Sequence, residues 1–304
     1  MTEPLDRKRL RVSGGELAYV DEGEGPAVVL LHGFPTSAHL WRDLVPILAP
    51  RFRAVAPDLL GYGDSDKPPD AAVHVRAQAG YVREMLDTLG LGRVAVVGHD
   101  IGGGIAQLLA FEGLVETLVL IDSVSLDSWP IEGVRMIQRA EPGSVDQEFV
   151  VNLVTMTFDL GMGHPARLGD EDREEFVRPW RSDPPALIRA AQGIDGVGLA
   201  GTEDRLASLD IRTLIVWGED DPFQPSDLAE RLGELLPGST VALVPGCSHF
   251  VTEDAPEAIL PLVSEYLRTH YLGERHGHAG PTVVDLGVSL HRPDPGTPAE
   301  EDGG

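Results

Sequence analysis

Apolar residues fall along this chain in two rhythms. Short, almost wholly apolar runs occur at 27–31, 53–58, 93–97, 117–121, 213–217 and 241–244, each closed by Gly, Pro, Asp or His. Such runs are too short for helices. They suit strands buried on both faces of a mostly parallel sheet. Between them lie stretches with apolar positions three or four apart: 40–48, 76–89 (Tyr81, Met85, Leu86, Leu89), 105–110, 226–236 and 256–270. These predict amphipathic helices. Residues 9–13 and 17–20, joined by Gly14-Gly15, read as opening strands. Strands alternating with helices imply an α/β fold, a mostly parallel sheet covered on both faces.

The alternation stops after Asp122 and resumes at 213. Residues 123–205 carry Trp129, Met136, Met156, Phe158, Met162, Phe176 and Trp180 in mostly helical patterning with proline breaks, which predicts an inserted helical lid. Residues 273–304 are rich in Gly, Pro and acid, with only 282–286 suited to an extended segment, so a mobile tail is expected there. The expected division is a core at 1–122 and 206–272, a lid at 123–205 and a tail at 273–304.

Composition narrows the partners. The 304 residues hold 49 acidic against 24 basic side chains, a formal charge of −25. A nucleic acid or an anionic membrane surface would be repelled. Cys247 is the one cysteine, so no intrachain disulfide forms. Neither a signal peptide nor a run of 18 apolar residues is seen, and a cytoplasmic enzyme is the expectation. The histidines, His276 and His278 of the tail included, show no ligand spacing, and no metal or organic cofactor is expected.

One turn carries the chemistry. Gly98-His99-Asp100-Ile101-Gly102 follows the run at 93–97 and precedes a helical stretch. Glycines on either side of a strand-to-helix turn permit close packing and push the central residue out, as in a nucleophile elbow. The spacing does not fit a phosphate-binding G-x-G-x-x-G, and an acid in the turn would repel phosphate. Such elbows usually present serine; this one presents Asp100. A carboxylate attacks esters poorly but can displace a leaving group at sp³ carbon, forming an alkyl ester. Asp122, Asp221 and His249 also fall at strand ends, and the order nucleophile, acid, histidine is that of an α/β-hydrolase triad.

Over about residues 10–270 the sequence resembles the α/β-hydrolase superfamily, in particular the branch with an aspartate nucleophile that includes haloalkane dehalogenases and epoxide hydrolases. The resemblance rests on His32-Gly33-Phe34-Pro35-Thr36-Ser37 with Trp41-Arg42, Pro57-Asp58 through Gly61-Tyr62-Gly63-Asp64-Ser65-Asp66-Lys67-Pro68, Gly98-His99-Asp100-Ile101-Gly102-Gly103, Gly218-Glu219-Asp220-Asp221 and Gly246-Cys247-Ser248-His249-Phe250. It implies that Asp100 attacks carbon and that His249 activates water against the resulting ester. Backbone N–H groups of Phe34 and Ile101 would hold the oxyanion. Asp221 is the expected partner of His249, with Asp122 the alternative. Asp220 is expected to be a loop residue, and His32 and His99 to buttress loops.

The sequence departs from that branch at the leaving group. Dehalogenases usually place tryptophan after the nucleophile, plus asparagine in the His-Gly loop or a lid tryptophan; here the two core positions are Ile101 and Phe34. Neither side chain donates a hydrogen bond. Trp129 and Trp180 are the lid residues with an indole N–H. Epoxide hydrolases usually use lid tyrosines, yet Tyr19, Tyr62, Tyr81, Tyr266 and Tyr271 all lie outside 123–205, and His164 is the lid's one histidine. The arginine that fluoroacetate-type relatives carry after the nucleophile is absent too. Halide leaves without a proton and an epoxide oxygen does not, so a small apolar electrophile processed in dehalogenase fashion, with water, is the first expectation. Epoxide hydrolysis is the alternative, and another hydrolase of this fold or a non-catalytic binding protein follows. The oligomeric state is not legible.

Overall fold

A computed structural model describes residues 7–274 and 289–291. Among the described residues nine strands form one sheet in the order β1-β2-β4-β3-β5-β6-β7-β8-β9. They are β1 (Lys8–Val12), β2 (Gly15–Glu22), β3 (Ala27–Leu31), β4 (Arg53–Pro57), β5 (Val94–His99), β6 (Val115–Ile121), β7 (Arg212–Gly218), β8 (Thr240–Val244) and β9 (Ser289–His291). Strands β4, β3, β5, β6, β7 and β8 run parallel; β1, β2 and β9 add antiparallel edges. The apolar runs behave as their pattern predicts: every residue of β3 and β5 is buried.

The helices are α1 (Val45–Leu48), α2 (Val75–Thr88), α3 (Ile101–Phe111), α4 (Glu132–Gln138), α5 (Gln147–Gly161), α6 (Asp170–Ser182), α7 (Pro184–Gln192), α8 (Glu203–Ala207), α9 (Asp227–Leu235), α10 (Val251–Asp254) and α11 (Pro256–His270). The helix expected over 40–48 is instead a 3₁₀ turn, Ala38–Trp41, followed by α1. Pro46 accounts for the break, since it has no N–H to bond the carbonyl four residues back.

Helices α4–α7 and most of α8 occupy the 123–205 stretch between β6 and β7. They are tied to the sheet domain on the α6 side. Trp180 Nε1 donates to Pro35 O at 2.7 Å, Arg178 pairs with Asp64 at 2.8 Å, and Asp172 receives Arg42 Nε at 2.9 Å. Within the expected tail, 289–291 pairs with Val241, Ala242 and Leu243 of β8. His276, His278 and 282–286 lie outside the described residues. Among the described residues no helix is long and apolar enough to cross a membrane, and no group of three or more His, Cys, Asp or Glu could hold a metal ion.

Register sets the site. Leu31 lies beside Gly98, His99 beside Ile121, Ile121 beside Val216 and Gly218 beside Val244. The strands therefore end together, and the loops after β3, β5, β6, β7 and β8 converge beyond their carboxyl ends, where open α/β sheets place their sites.

Candidate active site

Strand β5 ends at His99 and α3 begins at Ile101, so the connection is the single residue Asp100, at φ 51° and ψ −121°. An L-residue rarely adopts a positive φ, and such outliers persist only where the surroundings over-determine them. Two glycines do so here. A Cβ on Gly98 would meet the Gly102 carbonyl at 2.5 Å and Gly103 Cα at 2.6 Å; one on Gly102 would run into the backbone of Leu31 and His32. Helix α3 therefore sits against β5 on one side and the end of β3 on the other.

The two oxygens of Asp100 differ. Oδ2 accepts the Phe34 N–H at 2.8 Å, and the Ile101 N–H also bonds this carboxylate. Oδ1 is buried without a partner. Burial pushes the carboxyl up to about 6, against the pull of nearby His249 and the two N–H donors.

His249 lies in the loop between β8 and α10, with Nδ1 2.8 Å from Asp221 Oδ2. The other oxygen, Oδ1, accepts the N–H groups of Phe223 at 2.7 Å and Gln224 at 3.0 Å, which fixes the carboxylate. Burial draws the imidazole down, but the charge of Asp221 and its hydrogen bond outweigh it and leave His249 above its ordinary value.

Asp122 does not share this contact. It stands at φ 42°, and its Oδ1 accepts the Gly218 N–H at 2.8 Å. Burial and the nearby charge of Asp221 hold it well above the usual carboxylate range. Asp220 is an exposed loop residue whose N–H donates to Cys247 O at 3.0 Å. The two core histidines hold loops. His32 Nδ1 bonds Gly33 O and its Nε2 accepts Leu59 N–H, both at 2.9 Å. His99 Nε2 bonds His249 O at 2.9 Å. Burial drives His32 down to about 4 and His99 well below its ordinary value, so both rings stay neutral.

Asp100 and His249 open onto a cavity of about 470 Å³. Phe34 lies beside them, and Trp129, Val134, Leu153 and Phe223 are among its walls. Trp129 is buried, and its Nε1 has no partner. Two of the expected lid residues are elsewhere. Trp180 does not line the cavity, because its indole N–H is committed to Pro35 O and its ring packs against Tyr62 and Phe34. His164 is exposed on a turn whose backbone N–H is held by Asp254 Oδ1 at 2.8 Å.

Sequence reasoning missed most of the cavity wall, although α5 carried a signal for it. Phe149, Leu153, Met156 and Leu160 recur on one helical face, while Val150, Val154, Phe158 and Gly161 form another. The second face is buried and the first lines the cavity. A helix with two apolar faces has two apolar neighbours, and here one of them is the cavity.

The family model for the alpha/beta hydrolase fold matches residues 26–256. The soluble epoxide hydrolase of Corynebacterium sp. (strain C12) is 30% identical over 280 residues, 86% of this chain and 96% of its own. Haloalkane dehalogenase 2 of Mycobacterium tuberculosis (strain ATCC 25618 / H37Rv) is 28% identical over 288 residues, 86% of this chain and 95% of its own. Among solved structures, an alpha/beta hydrolase fold protein from Burkholderia ambifaria superposes with a TM-score of 0.78 at 32% identity, covering 84% of this chain and 96% of that one.

Proposed function

Because the chain belongs to the α/β-hydrolase family, in the branch that holds haloalkane dehalogenases and epoxide hydrolases, we propose that it hydrolyses an apolar electrophile through a covalent ester on Asp100, with displacement of halide the leading reaction. The inequality of the two Asp100 oxygens carries this reading: Oδ2 is bonded by Phe34 N–H, while Oδ1, in a residue that lines the cavity, has no partner.

Oδ1 attacks the substrate carbon, and the carbon–halogen bond breaks with its electron pair leaving on halide. Oδ2 then becomes the carbonyl oxygen of an alkyl ester, already against the N–H donors. His249 takes a proton from water, the hydroxide adds to Cγ, and negative charge grows on Oδ2 where those donors stabilise it. Asp221 steadies the imidazolium. Collapse expels the alkoxide, His249 returns the proton, and the alcohol leaves with the oxygen that was Oδ1. The helical segment between β6 and β7 closes over this chemistry as a lid, and the unpartnered indole N–H of Trp129 is the donor for the departing halide.

Epoxide hydrolysis is the second reading, supported by the 30% identity to the soluble epoxide hydrolase of Corynebacterium sp. (strain C12). The experiment is the intact mass of His249→Ala after exposure to 1-bromooctane or 1,2-epoxyoctane. An adduct without bromine, mapped to Asp100, supports dehalogenation. An adduct carrying the whole epoxide supports ring opening. A folded variant that takes up neither refutes the covalent mechanism.

A further inference from the structure

The cavity above Asp100 continues onto the protein surface. Six large apolar side chains are exposed among the described residues, and four of them line this cavity: Met136, Phe149, Met156 and Leu160, at 63, 40, 51 and 58% exposure. The other two, Ile47 and Val197, do not line it. A contiguous exposed apolar patch marks a place where something apolar binds. Because this patch is continuous with the reaction chamber, the occupant is whatever reaches Asp100.

The lining also says what that occupant lacks. No lysine or arginine lines the cavity, and its one carboxylate is Asp100. The hydroxyl of Thr157 is spent on Leu153 O at 2.8 Å. A carboxylate held inside the chamber would find no lysine or arginine to pair with and would be repelled by the nucleophile. A substrate ammonium would find its counter-ion only in the nucleophile itself. At about 470 Å³ the chamber sits inside the range of about 300–1,000 Å³ that encloses drug-sized ligands, far more than a four-carbon halide fills.

We infer that the substrates are elongated, uncharged lipophiles with the electrophilic carbon near one end, the chain running from Asp100 past Leu153 and emerging between Met136, Met156 and Leu160. This rests on the covalent reading of Asp100 and narrows it from small apolar electrophiles to long ones.

The test is kcat/KM along the 1-bromoalkanes from butane to decane, below their solubility limits, beside 6-bromohexanoate. Each buried methylene should raise kcat/KM roughly three- to fourfold over the early members. The carboxylate of 6-bromohexanoate, too short to reach the exposed mouth, should drop kcat/KM roughly a hundredfold or more below 1-bromohexane, since burying an unpaired charge is strongly unfavourable. The double variant Met136→Ser/Met156→Ser alters exposed positions and should lower the decane-to-butane ratio roughly tenfold. Equal kcat/KM for butane and decane, or turnover of 6-bromohexanoate matching 1-bromohexane, overturns the inference while ester formation on Asp100 still stands. A flat profile combined with a change of oligomeric state in the double variant assigns the patch to a second copy and likewise overturns it. Failure of every chain length to label Asp100 in folded His249→Ala refutes the covalent reading beneath it.

Discussion

Replacing Asp221 with Asn should divide the reaction in two. The wild-type carboxylate uses Oδ1 to receive the N–H groups of Phe223 and Gln224 and Oδ2 to receive His249 Nδ1–H. Asparagine has the same shape, and its carbonyl oxygen satisfies the two backbone donors. Its NH₂ then faces Nδ1, which must become an acceptor. The ring proton moves to Nε2, and the lone pair that should take a proton from water is lost. The charge that supports the imidazolium goes as well, in a pair whose side chains are only 3% and 0% exposed. In a serine-hydrolase triad the same change lowers turnover about 10⁴-fold, which corresponds to about 5.4 kcal/mol of transition-state stabilisation. A loss of roughly 10³–10⁴ is expected here in hydrolysis of the ester. Its formation needs Asp100 and the halide donor but no base, and should change only a few-fold. Rapid-quench mass spectrometry with 1-bromooctane reads both steps, and the ester should accumulate in Asp221→Asn as it does in His249→Ala. Asp122→Asn is the control, because Asp122 Oδ1 receives Gly218 N–H and an amide oxygen can do the same. Full activity of Asp221→Asn with collapse of Asp122→Asn would refute the assignment of the acid. Equal slowing of both half-reactions would refute the division of labour between Asp100 and His249.

Two further outcomes follow from the same geometry. Burial raises Asp100 to about 6, and only its ionised form attacks carbon, so single-turnover ester formation should rise with pH through about 6; a rate still flat down to about pH 4 would show an unperturbed carboxylate. His249 is also raised, and only its neutral form activates water, so ester hydrolysis should rise with pH as well, and lowering the pH from about 8 to about 6 should slow both steps in single-turnover traces. Tyr62→Phe removes one buried hydroxyl that has no partner, so stability should hold or improve in thermal melts. Tyr62 does not line the cavity, so opening of 1,2-epoxyoctane and displacement of bromide should both stay within a few-fold of the wild type; a loss confined to the epoxide would place its hydroxyl in the reaction.

The reach of the sequence depended on how local each determinant is. The strands were legible because each is buried by its own composition, so 27–31 and 94–97 needed no knowledge of their neighbours. The elbow was legible because Gly98 and Gly102 answer to steric limits within a few residues of Asp100. Pro46 was equally local, and its missing N–H is enough to explain why a single helix does not span 40–48. Pairings across the chain were not legible. Asp122 and Asp221 both stand at strand ends, and what separates them is where His249 reaches, a contact 28 residues apart from Asp221. Trp129 and Trp180 looked equivalent as lid indoles. Only the fold shows that one donates to the carbonyl of Pro35, 145 residues away, while the other remains unpartnered in the cavity wall.

The exposed apolar face of α5 belongs to a third kind of determinant. Phe149, Met156 and Leu160 have no mate within the described residues that buries them, yet their regular spacing gives the helix a second apolar face. Folding stability alone offers no reason to retain such a face, since leaving it in water forgoes burial that polar residues would not need. Its continuity with the chamber above Asp100 gives it a mate in the substrate. On this view the pattern that sequence reading treats as surplus hydrophobicity records the shape of the ligand, and the chain-length profile of the bromoalkanes measures it directly.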